Sequence, residues 1–201
     1  FNLDITAKVN SPVFADYDND GDLDLFLPQA YDVTEPAPHL LVYENQNNQN
    51  FVDKSQEIGI VTDAYAVYPG DFNNDSFVDI YILKSDQNYN NNYSQIYLNN
   101  GDGSFSIEPG TGAEVIFADG RGGAAADLNR DGWIDLVGVA NGGYYGTNRR
   151  EYGRNHLLIN NSQNNNHYLL VEIVDDQNRR TGLGSKIWIY EPGHLKNSDH
   201  I

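Results

Sequence analysis

The chain has 201 residues, 39% of them hydrophobic and 12% aromatic, with 20% charged, a balance that suits a folded core and excludes a disordered polyelectrolyte. Its formal net charge of −17 argues against nucleic acid and anionic membrane as partners and for cations or basic surfaces. There is no cysteine, so disulfides and thiolate metal sites are excluded, and no apolar run approaches the roughly 20 residues that cross a bilayer, so no membrane insertion is expected. With Phe1 at its start and no methionine, the chain reads as a processed protein or an excerpt of a longer one.

Residues 1–6, FNLDIT, form a lone candidate strand. A first acidic loop follows, DYDNDGDLD at 16–24, which holds five aspartates in nine positions and runs into the apolar strand 23–27. Two relatives lie further along, DFNNDSFVD at 71–79 and DLNRDGWID at 127–135, so the first aspartates recur about every 55 residues. Each copy follows a small residue (Ala15, Gly70, Ala126) and enters a strand rich in branched and aromatic residues, 78–82 and 134–138 in the later copies. A further strand comes about 30 residues after each first aspartate: LLVYEN, QIYLNN and HLLINN. Two of these lead through a polar turn into a phenylalanine strand, NFVDKS at 50–55 and SFSIEP at 104–109, which FNLDIT resembles.

No segment carries helical periodicity, so the expected class is all-β, with units of four antiparallel strands joined by Gly, Asn and Asp turns. Four-stranded units at this period are the signature of propeller blades, with a sandwich or an irregular β-solenoid as the competing reading. The units span about 7–55, 62–109 and 117–161, and 162–201 is a separate β segment. A closed propeller takes about four to eight blades. Three blades imply either an excerpt of a larger propeller or head-to-tail self-association, with 1–6 or 167–174 inserted into a neighbouring copy.

The loop pattern D-x-[DN]-x-D-[GS]-x-x-D sets side-chain oxygens at positions 1, 3, 5 and 9, with a turn residue at 6 and a backbone carbonyl at 7. The candidate ligands are Asp16, Asp18, Asp20, Asp22 and Asp24 in the first loop, and Asp71, Asn73, Asp75, Phe77 and Asp79 in the second. Those of the third are Asp127, Asn129, Asp131, Trp133 and Asp135, and Asp22, Phe77 and Trp133 enter through their carbonyls. An all-oxygen cage of about 6 to 8 ligands suits calcium better than magnesium or zinc, so up to three calcium ions are expected. An EF-hand is excluded, because it needs glutamate at position 12, where this chain has Leu27, Ile82 and Gly138. Serine at position 6 of the second loop, if the backbone there is left-handed, costs about 1 kcal/mol and makes that site the weakest. The side chain of Asp22 has no assigned task and is expected to face solvent.

The loops DYDNDGDLDLFL, DFNNDSFVDIYIL and DLNRDGWIDLVGV, with strands such as IYLNNGDGSF, resemble FG-GAP/VCBS repeats over about residues 1–161. These are the calcium-loop blades of integrin α-subunit propellers and many secreted bacterial proteins. The resemblance implies an extracellular, calcium-binding propeller module with an adhesion or recognition role. A second resemblance, at NHYLLVEIVDDQNRRTGLGSKIWIY (166–190), is to the start of the ASPIC/UnbV segment of cartilage-acidic-protein-like proteins; it rests on Asn166-His167, Asn178-Arg179, Gly182 and Gly184.

The loops between second and third strands lie at the opposite end of each blade from the acidic loops. They carry Tyr31, Tyr89, Tyr93, Tyr144, Tyr145 and Tyr152 together with Arg149, Arg150 and Arg154, a tyrosine and arginine set suited to a protein or glycan ligand. A structural subunit of a calcium-stabilised surface layer or fibre is the alternative function, and an accessory domain of a glycan-active enzyme a minor one. Glycosylation sequons stand at Asn92 and Asn160, and at Asn74 inside an acidic loop, where a glycan is not expected. Catalysis is not expected: His39, His156, His167, His194 and His200 form no H-E-x-x-H pair, there is no G-x-S-x-G elbow, and Gly122-Gly123 lacks the following Lys-Ser/Thr of a phosphate loop. Those glycines suggest instead a close approach to the third acidic-loop strand.

Overall fold

A computed structural model describes residues 5, 9–29, 40–84, 93–117, 120–142, 144–145, 149–150, 153–169, 171, 173–174 and 187. It is all-β, and no helix is present among the described residues. The chain divides into two compact units, Phe1–Tyr168 and Leu169–Ile201. The first holds every described strand.

The first sheet has order β1-β2-β3-β4, from Val13–Ala15, Asp24–Pro28, Leu40–Gln46 and Asn50–Asp53. The second repeats it with β5 (Ala66–Gly70), β6 (Asp79–Leu83), β7 (Gln95–Asn99) and β8 (Phe105–Ile107). In the third, β9 (Gly120–Ala126) pairs with β10 (Asp135–Ala140) and β10 with β13 (His156–Leu158); the described residues supply no fourth strand. All these pairings are antiparallel, and the sheets do not close into a barrel. A hairpin absent from the sequence reading, β11 (Tyr144–Tyr145) with β12 (Arg149–Arg150), interrupts the long connection from β10 to β13.

The packing of β6 explains why its sequence is apolar without alternation. In β6, Ile80 and Ile82 join Phe26, Val42 and Val67 in one core cluster, while Tyr81 and Leu83 join Phe72, Phe117 and Leu136 in another. A strand buried on both faces needs apolar residues at every position. The second sheet is thus sandwiched between the first and the third. Each fully buried Phe or Ile contributes about 1.5–3 kcal/mol.

Small residues in the third sheet make room for rings. A side chain at Gly138 would strike the buried Phe117 ring, and one at Gly123 would meet the Val137 carbonyl and, at 3.2 Å, the Tyr68 ring. Gly120, Gly122 and Gly123 all lie in β9, paired along the third acidic-loop strand β10, as a close approach requires.

Candidate metal centres

Each acidic loop joins the first two strands of its sheet, and the three are built alike. The position-1 aspartate accepts backbone N–H groups from the far side of the loop: Asp16 from Gly21 (3.0 Å), Asp71 from Asp75 and Ser76 (3.1 and 2.9 Å), and Asp127 from Arg130, Asp131 and Gly132. Positions 3 and 5 close two successive turns: Asp18, Asn73 and Asn129 accept the N–H of residue 5, and Asp20, Asp75 and Asp131 that of residue 7. Position 6 is left-handed as expected, with φ of 89° at Gly21, 76° at Ser76 and 89° at Gly132. Position 4 is left-handed too, at Asn19, Asn74 and Arg130. That requirement was readable only in retrospect, because asparagine at two of three copies is a weak signal.

Ser76 therefore carries backbone strain that glycine relieves. Ser76→Gly is expected to raise stability by about 0.5–1 kcal/mol, read as a higher Tm with the far-UV spectrum unchanged.

The aspartate at position 9 ties strands together. Asp24, Asp79 and Asp135 are buried, and each bridges two strands. One oxygen accepts the position-2 N–H (Tyr17, Phe72, Leu128; 2.9–3.1 Å), and the other accepts the N–H of Asn45, Asn99 or Asn160 (2.8–2.9 Å). Burial pushes the Asp24 carboxyl up to about 6 and that of Asp79 to about 7, and also raises Asp16, Asp18 and Asp71. Three of these acids, Asp16, Asp18 and Asp24, have ligand oxygens within 4.8 Å of one another. Asp16 Oδ1, buried in that cluster, has no hydrogen-bond partner. A buried carboxylate oxygen with no donor is costly, and a cation is the group that satisfies it among other carboxylates. The all-oxygen donor set fits calcium.

The second and third loops differ at position 3. There the Asn73 and Asn129 amides donate to Asp75 and Asp131 (2.8 Å each), a neutral substitute for part of a cation's attraction. The carboxylate of Asp22 does not simply face solvent: the Asn48 side chain in the β3–β4 turn donates to it. Phe77 and Trp133, named for their carbonyls, have half-buried side chains.

The sequence reading missed Asn45, Asn99 and Asn160, although the motifs LLVYEN, QIYLNN and HLLINN carry them in register. Asn99 Nδ2 donates to the Tyr17 carbonyl of the preceding loop (2.6 Å) and Asn160 Nδ2 to that of Phe72 (2.9 Å). The Asn160 nitrogen is the one a glycan would occupy, so this bond speaks against glycosylation there. Asn164 and Asn166 both donate to the Asn73 carbonyl (2.7 and 3.0 Å), which ties the chain after β13 to the second loop.

On the opposite end, Tyr93 and Arg154 are exposed. Tyr144 and Tyr145 stand in register with Arg150 and Arg149 across the β11–β12 hairpin. Tyr31, Tyr89, Tyr152 and Asn92 lie outside the described residues, as do most of 1–6 and of the ASPIC/UnbV-like stretch 166–190.

Antiparallel sheets stacked face to face, each with an acidic loop between its first two strands, define an open array of propeller-type blades. Residues 78–138 match the model of the FG-GAP-like repeat family, a span that runs from the end of the second acidic loop into β10. No curated protein and no solved structure gives a match.

Proposed function

We propose that the chain is an extracellular calcium-binding blade module with a non-catalytic role in adhesion or recognition of a protein or glycan. The observation that carries the calcium reading is the buried, partnerless Asp16 oxygen within the Asp16, Asp18 and Asp24 cluster. Burial has raised the pKa of all three acids, and calcium would offset that cost of charge. Three divalent ions would offset about a third of the chain's excess negative charge.

The extracellular assignment draws on the FG-GAP-like match and on the typical affinity of extracellular calcium modules, about 0.1–1 mM, which suits calcium outside cells. No helix among the described residues is long and apolar enough to cross a membrane. The proposed recognition face is the end opposite the acidic loops, whose connections carry Arg149, Arg150 and Arg154 in sequence, a residue type that suits an acidic protein or anionic glycan. The segment from residue 166 onward is read as the beginning of an ASPIC/UnbV-like domain.

Calorimetric titration with calcium tests the reading. Binding is expected, and Asp16→Ala is expected to remove its tightest step; absence of any calcium binding by the folded chain overturns the proposal. Capture of an anionic glycan that survives replacement of all three arginines by alanine would remove the recognition face.

A further inference from the structure

Two cavities lie between stacked sheets, one of about 330 Å³ between the first and second and one of about 410 Å³ between the second and third. Their walls share three in-register positions. Position 2 of the acidic loop contributes Tyr17 to the first cavity and Phe72 to the second, and position 3 contributes Asp18 and Asn73. The residue before Asn45 or Asn99 contributes Glu44 and Leu98. Phe72, Asn73 and Leu98 bring neither a hydroxyl nor a charge, so the repeat folds without either at these positions. The polar wall of the first cavity is therefore its own property.

Tyr17 carries the strongest sign of a missing ligand. It is 3% exposed, with its ring packed against Phe26 and Phe105, yet among the described residues nothing hydrogen-bonds its hydroxyl. A hydroxyl so deeply placed is costly without a partner. The cavity that it lines carries four carboxylates, Asp18, Glu44, Glu57 and Asp102, against the single ammonium of Lys54. Local donors are largely spent. Lys54 lies 2.8 Å from Glu57 and 3.7 Å from Glu44, the Ser104 hydroxyl and N–H both donate to Asp102, and the Gly101 N–H donates to the Asn99 side chain. Acceptors remain in excess, which selects a ligand that brings donors and positive charge.

The carboxylates stand on four separate segments: the first acidic loop, β3, the β4–β5 connection and the β7–β8 turn. Single acceptors from several segments suit the three rotatable hydrogens of an ammonium better than the planar fork of a guanidinium. The half-buried Phe77 adds an aromatic wall for the cation and its alkyl stem. The volume falls in the range of small-ligand sites, about 300–1,000 Å³, and a bare metal ion would leave most of it empty. We infer that this cavity binds an alkylammonium group, on a lysine of a partner protein or on a free polyamine, with the Tyr17 hydroxyl and the Asp18 and Glu44 carboxylates as its acceptors. Asp18 is shared with the first acidic loop, but Tyr17, Glu44 and Glu57 belong to no proposed calcium ligand set, so the inference does not rest on the calcium reading.

Titration of the full chain with lysine blocked at its α-amino and carboxyl groups, followed by amide NMR with and without calcium, tests this. Saturable shifts are expected at Tyr17, Gly101, Gly103 and Ser104, and none with blocked norleucine, which has the alkyl stem without the charge. Glu44→Gln is expected to weaken binding by about tenfold and Tyr17→Phe by about threefold. Phe72 already occupies the matching place in the second loop, so Tyr17→Phe retains the fold. Spermidine separates the two sources of the same chemistry: tighter binding than blocked lysine at these amides supports a free polyamine, and weaker binding supports a protein side chain. Shifts spread over all three acidic loops without saturation, or binding that either substitution leaves unchanged, overturn the inference. Calcium titrated into the same samples separates the readings, since a chain that binds calcium but not the blocked lysine sinks the cavity assignment alone.

Discussion

Asp79→Ala is expected to destabilise the chain by about 3 kcal/mol, a fall in Tm on the order of 10 °C, and to do so with or without calcium. The fully buried Asp79 carboxylate accepts the Phe72 N–H through one oxygen and the Asn99 N–H through the other, both at 2.9 Å. Alanine leaves both donors without a partner in the interior. Each such loss costs about 1–3 kcal/mol, and relief of the carboxylate's own desolvation returns part of it. Asp79→Asn keeps one acceptor but sets an amide N–H against the other donor, so it is expected to fall between wild type and alanine. If position 9 acted only as a metal ligand, the alanine effect would vanish in chelator. Equal Tm values for wild type and Asp79→Ala in chelator would therefore sink the reading of this residue as a strand-bridging staple.

That staple marks where reading from sequence stopped. The recurrence of nine-residue loops, with a branched strand after each, was enough to expect four-stranded antiparallel units, and β1 to β8 follow that expectation strand by strand. The left-handed turn at position 6 was legible because glycine stands there in two of three copies. The dual use of Asp24, Asp79 and Asp135 was not, because a carboxylate that holds backbone N–H groups and one that holds an ion look the same in a motif. The inter-blade asparagines were visible as a repeat but not as a contact, since their partners lie more than 80 residues away in the chain. The β11–β12 hairpin escaped because two-residue strands in a Gly and Tyr stretch leave no alternation to detect. The third sheet lacks a described fourth strand for a related reason: no phenylalanine strand follows HLLINN as it follows the other two copies.

Calcium at about 100 times its dissociation constant is expected to add about 2.7 kcal/mol of stability for each loop it fills, and chelation to remove it. In a chain of this size each kcal/mol moves Tm by about 2–4 °C, so one filled loop is visible in a thermal scan. Asn73→Asp is the sharper test, because its effect should change sign. Without a cation, the substitution replaces the amide that donates to Asp75 by a second carboxylate, so like charges meet in a half-buried loop. A loss of about 1 kcal/mol is expected there. With calcium, the same carboxylate is expected to become a charged ligand, the role proposed for Asp18 in the first loop, and affinity for the second site should rise. The variant should thus melt below wild type in chelator and above it in saturating calcium. A loss of equal size in both conditions would show that the second loop does not hold the ion, and that its polar network is complete without one.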